Sequence, residues 1–181
     1  MQKTALTLSG SLALVVAIAL LITLGLAMKE RPATADQDST RAMAPTTLRP
    51  AESEICAVCG MFVARYPEWI AQVVYKDGSS VYFDGPKDLF KYLLYPETYA
   101  EERSSLEIEA ILVTSYYDRK AIEARGAFFV TGSDVIGPMG AELVPHRGLD
   151  DARAFMEDHG GSRVVRFHEI DLELLAGLRI N

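Results

Sequence analysis

From residue 70 onward, short apolar runs alternate with turn residues in an order that occurs twice. Ile70-Ala71-Gln72-Val73-Val74-Tyr75 reads as a strand, Lys76-Asp77-Gly78-Ser79 as a turn, and Ser80-Val81-Tyr82-Phe83 as the returning strand of a hairpin. Asp84-Gly85-Pro86 then supplies a candidate N-cap and a proline suited to the first helical turn. Leu89, Phe90, Leu93 and Leu94 follow at helical spacing, until Tyr95-Pro96 ends the helix. A Glu-rich polar stretch leads to the apolar run from Ile108 to Thr114, the third strand. The same order returns downstream: a strand over Ala127 to Thr131, a turn at Gly132-Ser133-Asp134 and a short strand over Gly140 to Pro145. A helix from about Asp150 to His159, stopped by Gly160-Gly161, precedes a closing strand over Val164 to Phe167. The pattern predicts an α+β fold of two similar β-β-α-β units, residues 54–120 and 121–181. The helices are expected to bury Leu89, Phe90 and Leu93 in the first unit, and Ala152, Phe155 and Met156 in the second.

Upstream the pattern changes twice. Ala5 to Met28 is an uncharged, Leu/Ala/Val-rich stretch, long enough to cross the roughly 30 Å of a bilayer core at about 1.5 Å per helical residue. Residues 1–29 therefore read as a membrane anchor or export signal. Lys29 and Arg31 stand between the apolar core and the small residues Ala33-Thr34-Ala35, which favours an uncleaved transmembrane helix over a cleavable signal. Residues 30–53 are rich in Ala, Thr, Pro, Asp and Ser without apolar periodicity, and read as a flexible tether to a domain outside the cytoplasm.

Composition narrows the function classes. The formal net charge of −7 leaves no basic footprint for nucleic acid. No nucleophilic triad pattern or glycine-rich phosphate loop points to an enzyme. What stands out is Cys56-Ala57-Val58-Cys59-Gly60-Met61, which holds both cysteines of the chain. A Cys-x-x-Cys spacing suits a shared metal ion, a dithiol redox couple or a small disulfide, and spacing alone leaves all three open. Gly60 frees the backbone to turn, which lets the Met61 thioether swing back toward the thiols; Met61 is equally placed for ordinary packing under the first strand. Thiolate and thioether together favour Cu(I), whereas zinc within one chain lacks a second Cys-x-x-Cys or a short His-x(3–5)-His. A thioredoxin-like couple would need the motif at a strand-to-helix turn, and here an extended-looking run, Phe62-Val63-Ala64-Arg65, follows it instead. Met139 is the second candidate, held in a Gly137-Pro138-Met139-Gly140 loop rather than on a periodic apolar face. His168, at the end of a strand, offers an imidazole, with an exposed surface role as the alternative.

Several of these stretches taken together resemble the NosL family: Cys56-Ala57-Val58-Cys59-Gly60-Met61, Tyr66-Pro67, Ala71-Gln72, Phe83 with Asp88, and Gly137-Pro138-Met139-Gly140. The resemblance covers roughly residues 54–170. It implies a fold of two β-β-α-β units and a periplasmic chaperone that delivers Cu(I) to the copper–sulfide site of nitrous oxide reductase, with an ABC-type membrane assembly as partner. Carried over residue by residue, it implies Cys59 and Met139 as copper ligands, with Cys56, Met61 or His168 completing the site. The chain departs from the usual member in two places. Lys29-Glu30 stands where a lipoprotein signal would place a cysteine, so a transmembrane helix is expected to replace the lipid. His146 stands where an aromatic residue is expected. The competing functions are an anchored thiol–disulfide oxidoreductase using Cys56 and Cys59, and a tethered interaction module with a structural disulfide.

Overall fold

A computed structural model describes residues 47–101 and 103–178. The expected anchor and most of the expected tether lie outside the described residues. Among those described, no helix is long and apolar enough to cross a membrane.

Strands β1 (Ala71–Tyr75) and β2 (Ser80–Phe83) form the first hairpin, with Ala71 opposite Phe83 and Val74 opposite Ser80. Its turn is closed by Asp77, whose carboxylate accepts from the Ser79 backbone N–H at 2.9 Å. Helix α1 (Pro86–Leu94) follows, then a single turn α2 (Pro96–Tyr99), then β3 (Ile108–Thr114), which returns along the other side of β1. β1 is thus flanked on both edges, and four of its five residues are buried. The strand β4 (Ala121–Glu123) adds to β3, giving a four-stranded sheet in the order β2-β1-β3-β4. Residues 121–123, placed by the sequence at the start of the second unit, therefore belong to the first sheet.

The second sheet is built on the same plan. β5 (Phe128–Thr131) lies between β8 (Val144–His146) and β9 (Arg163–Arg166), with helix α3 (Leu149–Asp158) connecting the outer two. In both sheets the first strand is central, its hairpin partner lies on one side and the strand after the helix on the other; every pairing is antiparallel. The expected strand over Gly140 to Pro145 is broken in two. Its first residues pair as β7 (Gly140–Ala141) with β6 (Ile136–Gly137) in a small hairpin inserted between β5 and β8. Glu142, between the two pieces, turns away from the ladder to reach α1. α3 stops at the Gly160-Gly161 pair, where Gly160 takes φ +59° and the Gly161 N–H donates back to the Met156 carbonyl at 2.8 Å.

The two halves share one core. Phe83, Leu89 and Phe90 from the first half pack with Phe129, Leu143 and Val165 from the second. The Phe90 and Phe129 rings meet edge to face at 5.4 Å. A smaller cluster of Val130, Val144, Ala152 and Phe155 fills the space beneath α3. Leu93 and Met156, both expected to be core, are half-buried and pack against the edge of the two clusters. Leu93→Ala is accordingly expected to cost about 1–2 kcal/mol in chemical denaturation, below the range for a fully buried leucine. A loss of that full range would place Leu93 in the core after all.

Candidate metal centre

The cysteine motif forms a tight loop rather than an extended strand. Ile55 and Phe62 pair across it in an isolated antiparallel bridge, and the Cys56 N–H donates to the Met61 carbonyl at 2.8 Å. Inside that closure the Gly60 N–H donates to the Cys56 carbonyl at 2.9 Å, and Gly60 takes φ +75°, the left-handed conformation that lets the chain double back within five residues. Val63–Arg65 then form a 3-10 turn with Val63 fully buried, which corrects the extended run expected there. The burial of Val63 anchors the loop, and the Tyr66 N–H closes the turn onto its carbonyl at 3.0 Å.

This folding brings Cys56 and Cys59 together against the start of α1. The Cys56 thiol donates to Asp88 Oδ2 at 3.5 Å and the Cys59 thiol to Asp84 Oδ2 at 3.4 Å. One ligand atom from each of Cys56, Cys59, Asp84 and Asp88 lies within 4.8 Å of all the others. Cys56, Asp84 and Asp88 are buried, while Cys59 is partly open to solvent. Asp84 and Asp88 were not expected in the site. The sequence offers Asp84 as a candidate N-cap of α1, but that position falls to Gly85, which has no side chain to cap with. The Asp84 carboxylate serves the thiol instead, and its Oδ1 is buried without a partner among the described residues. The second oxygen of Asp88 pairs with Lys91 Nζ at 2.8 Å. Spacing does not single out the two acids, because Asp84 lies before the extended Gly85 N-cap and outside the helical repeat that carries Asp88.

Burial raises both thiols above their ordinary value, Cys59 strongly. At Cys59 the Met61 backbone N–H opposes that effect, while the neighbouring Cys56 and Asp88 add to it; at Cys56 backbone N–H groups oppose it, that of Cys59 most strongly. The metal-free thiols are therefore neutral donors, each with a carboxylate as acceptor, and a metal that binds as thiolate must displace their protons. Both cysteines are free thiols. A redox-active thiol is prepared in the opposite way, by surroundings that lower its pKa.

The other expected ligands are placed unequally. Met139 sits at the tip of the β6–β7 hairpin and is 43% exposed. The backbone of this hairpin is tied to α1, where Lys87 Nζ donates to the carbonyls of Met139 and Ala141 at 2.7 Å each. Met61 is half-buried, and its carbonyl helps close the cysteine loop. His168 lies exposed in a 3-10 turn, Phe167–Glu169, and is not one of the side chains clustered with the cysteines.

Comparison with known proteins places the chain in a family. The sequence pattern of the NosL family matches residues 46–175. The copper-binding lipoprotein NosL of Stutzerimonas stutzeri is 32% identical over 126 residues, which make up 68% of this chain and 65% of that relative's length. The chain thus matches just under two-thirds of its curated relative. The crystal structure of the copper chaperone NosL from Shewanella denitrificans superposes with a TM-score of 0.59 at 28% identity, covering 72% of this chain and 99% of that one. With the family pattern spanning both the cysteine loop and the Met139 hairpin, the chain belongs to the NosL family.

Proposed function

We propose that this protein is a Cu(I) carrier that supplies copper for assembly of the copper–sulfide site of nitrous oxide reductase, acting with an ABC-type membrane complex. The observation that carries the reading is the convergence of two thiols and two carboxylates at the start of α1. Thiolate sulfur is the soft donor that Cu(I) prefers, and it separates this site from a hard-cation site made of oxygens alone. The carboxylates of Asp84 and Asp88 accept hydrogen bonds from the thiols in the metal-free protein and stand ready as acceptors when copper displaces the thiol protons. Cys59 is the exchangeable ligand in this reading: it is partly exposed, so an acceptor's sulfur can approach the metal there while Cys56 holds it from below. Met139 supplies a thioether from the β6–β7 hairpin, and Met61 and His168 are the remaining candidates for a further ligand. The carrier works at the membrane surface outside the cytoplasm, held by the apolar segment of residues 5–28 in place of the lipid named for its relative. The protein transfers a metal and performs no chemical conversion.

The thioether assignment is tested by Met139→Leu, which keeps roughly the side-chain volume and removes only the polarizable sulfur. The variant is expected to fold with parent-like stability and to bind Cu(I) more weakly in an anaerobic competition titration. Parent-like binding would remove Met139 from the site.

A further inference from the structure

We propose that Glu142 and Lys87 are positioning residues for copper binding, which dock the β6–β7 hairpin onto the first turn of α1 and so hold Met139 at the thiol–carboxylate cluster. The inference rests on the reading of Met139 as a copper ligand and adds the device that brings it there.

The hairpin is short, Ile136 to Ala141, and its ladder is a single pair of two-residue strands. Such a hairpin has little stability of its own in water. Its place is set by two side chains that cross between it and α1. Glu142 is 3% exposed, and its Oε1 accepts from the backbone N–H of Lys87 at 2.6 Å and from that of Leu143 at 2.9 Å. The Lys87 N–H is one of the donors that a helix start leaves without a partner, and Gly85 at the N-cap offers no side chain to take it. Glu142, 55 residues downstream, thus performs the capping that the local sequence cannot. A carboxylate there also suits the positive end of the helix dipole.

Lys87 completes the connection in the other direction. Its ammonium binds the carbonyls of Met139 and Ala141, one from the hairpin tip and one from β7, so the hairpin is held at both places. The fit around Glu142 is close. A Cβ at Gly137 would stand 3.0 Å from Glu142 Cγ, and one at Gly85 would overlap Glu142 Oε2. The two glycines belong to Asp84-Gly85-Pro86 and to Gly137-Pro138-Met139-Gly140, stretches far apart in the chain that meet on this one carboxyl group. Lys87 directly precedes Asp88, whose carboxylate accepts from Cys56, so the docking point is one residue from the cluster.

Both backbone bonds end on Oε1. Burial pushes the Glu142 carboxyl up to about 8 against the pull of the Leu143 and Lys87 N–H groups and the Lys87 charge, and the contact survives in either form because Oε2 is left to carry the proton. Glutamine, which keeps a carbonyl oxygen at the same place, is therefore expected to serve nearly as well as glutamate.

The experiment is a double-mutant cycle on the full chain, read as Cu(I) affinity by anaerobic competition titration. Lys87→Met keeps the half-buried stem and removes the ammonium; it is expected to weaken Cu(I) binding by about tenfold, the scale seen for groups that orient a metal ligand. Simple electrostatics points the other way, since removing a cation near the site favours a bound cation. In the Met139→Leu background the same change is expected to have no further effect, because there is no thioether left to position. Glu142→Ala is expected to behave like Lys87→Met, and Glu142→Gln like the parent. Additive effects of Lys87→Met and Met139→Leu, or tighter binding in Lys87→Met, would overturn the positioning role while leaving Met139 a ligand. Parent-like binding by Met139→Leu alone would remove the ligand reading, and the positioning role with it. Lys87→Met keeps the test decisive should Glu142→Ala fail to fold.

Discussion

A Cys59→Ser protein is expected to lose tight Cu(I) binding in anaerobic competition titration while keeping a parent-like unfolding midpoint. Serine oxygen is a hard, normally protonated donor and does not replace a thiolate toward Cu(I). The substitution is structurally mild, because Cys59 is partly exposed and its thiol hydrogen bond to Asp84 is one that a hydroxyl can also make. Cys56→Ser is expected to weaken binding less. Cys56 is 2% exposed and anchors the loop through its backbone, so copper bound at Cys59 retains the loop geometry and the approach from solvent. If Cys56→Ser proved the more damaging change, the primary thiolate would move to the buried position. Zinc or a cycling dithiol would separate from copper in the same preparation by metal analysis with a thiol count.

Stability is expected to fall by up to about 3 kcal/mol as the pH drops from 6.5 to 4, through His146 alone. This side chain is fully buried, with neither ring nitrogen partnered among the described residues, and it packs against Tyr116, Tyr117 and Phe155. Burial pushes its pKa down to about 4, against the attraction of Asp151 and with a smaller push from His159 in the same direction. The folded state thus resists a proton that the unfolded chain accepts near its ordinary value of 6.5. The stability held by the neutral ring is complete above 6.5 and is lost progressively toward 4. His146→Phe, which suits the aromatic surroundings, is expected to remove this component of the acid sensitivity. It is also expected to be no less stable than the parent at pH 7.5, since it removes two unpaired polar atoms from the interior. Denaturation curves at several pH values decide it: parallel stability profiles for parent and variant would show that His146 is not the group responsible.

Much of the fold was legible because its elements are local. The hairpin turn at Asp77-Gly78, the proline opening α1 and the Gly160-Gly161 stop are set by backbone preferences that each residue carries wherever it stands. The apolar period placed α1 and α3 to within a residue or two of their observed ends. Where the pattern misled, a contact from elsewhere had intervened. Phe62 to Arg65 has the composition of a strand, yet the burial of Val63 bends it into a 3-10 turn. The run from Gly140 to Pro145 has the pattern of one strand, and the pull of Glu142 toward α1 divides it.

The site divides along the same line. The sequence by itself determined that soft sulfur is concentrated at Cys56 and Cys59, that Gly60 follows to turn the chain, and that Met139 occupies a turn rather than a packed face, since spacing and glycine are local facts. Only the tertiary structure decided the company these residues keep. Asp84 reads as a helix cap until Cys59, 25 residues upstream, is seen to occupy its carboxylate; Asp88 reads as a helix-surface acid until it is found buried against Cys56. Glu142 reads as an ordinary polar residue in a strand until α1 is seen to need a cap. The physical reason is that a buried carboxylate or thiol must find a partner, and which partner it finds depends on how the two sheets close over their shared core, a choice no local stretch of the chain encodes.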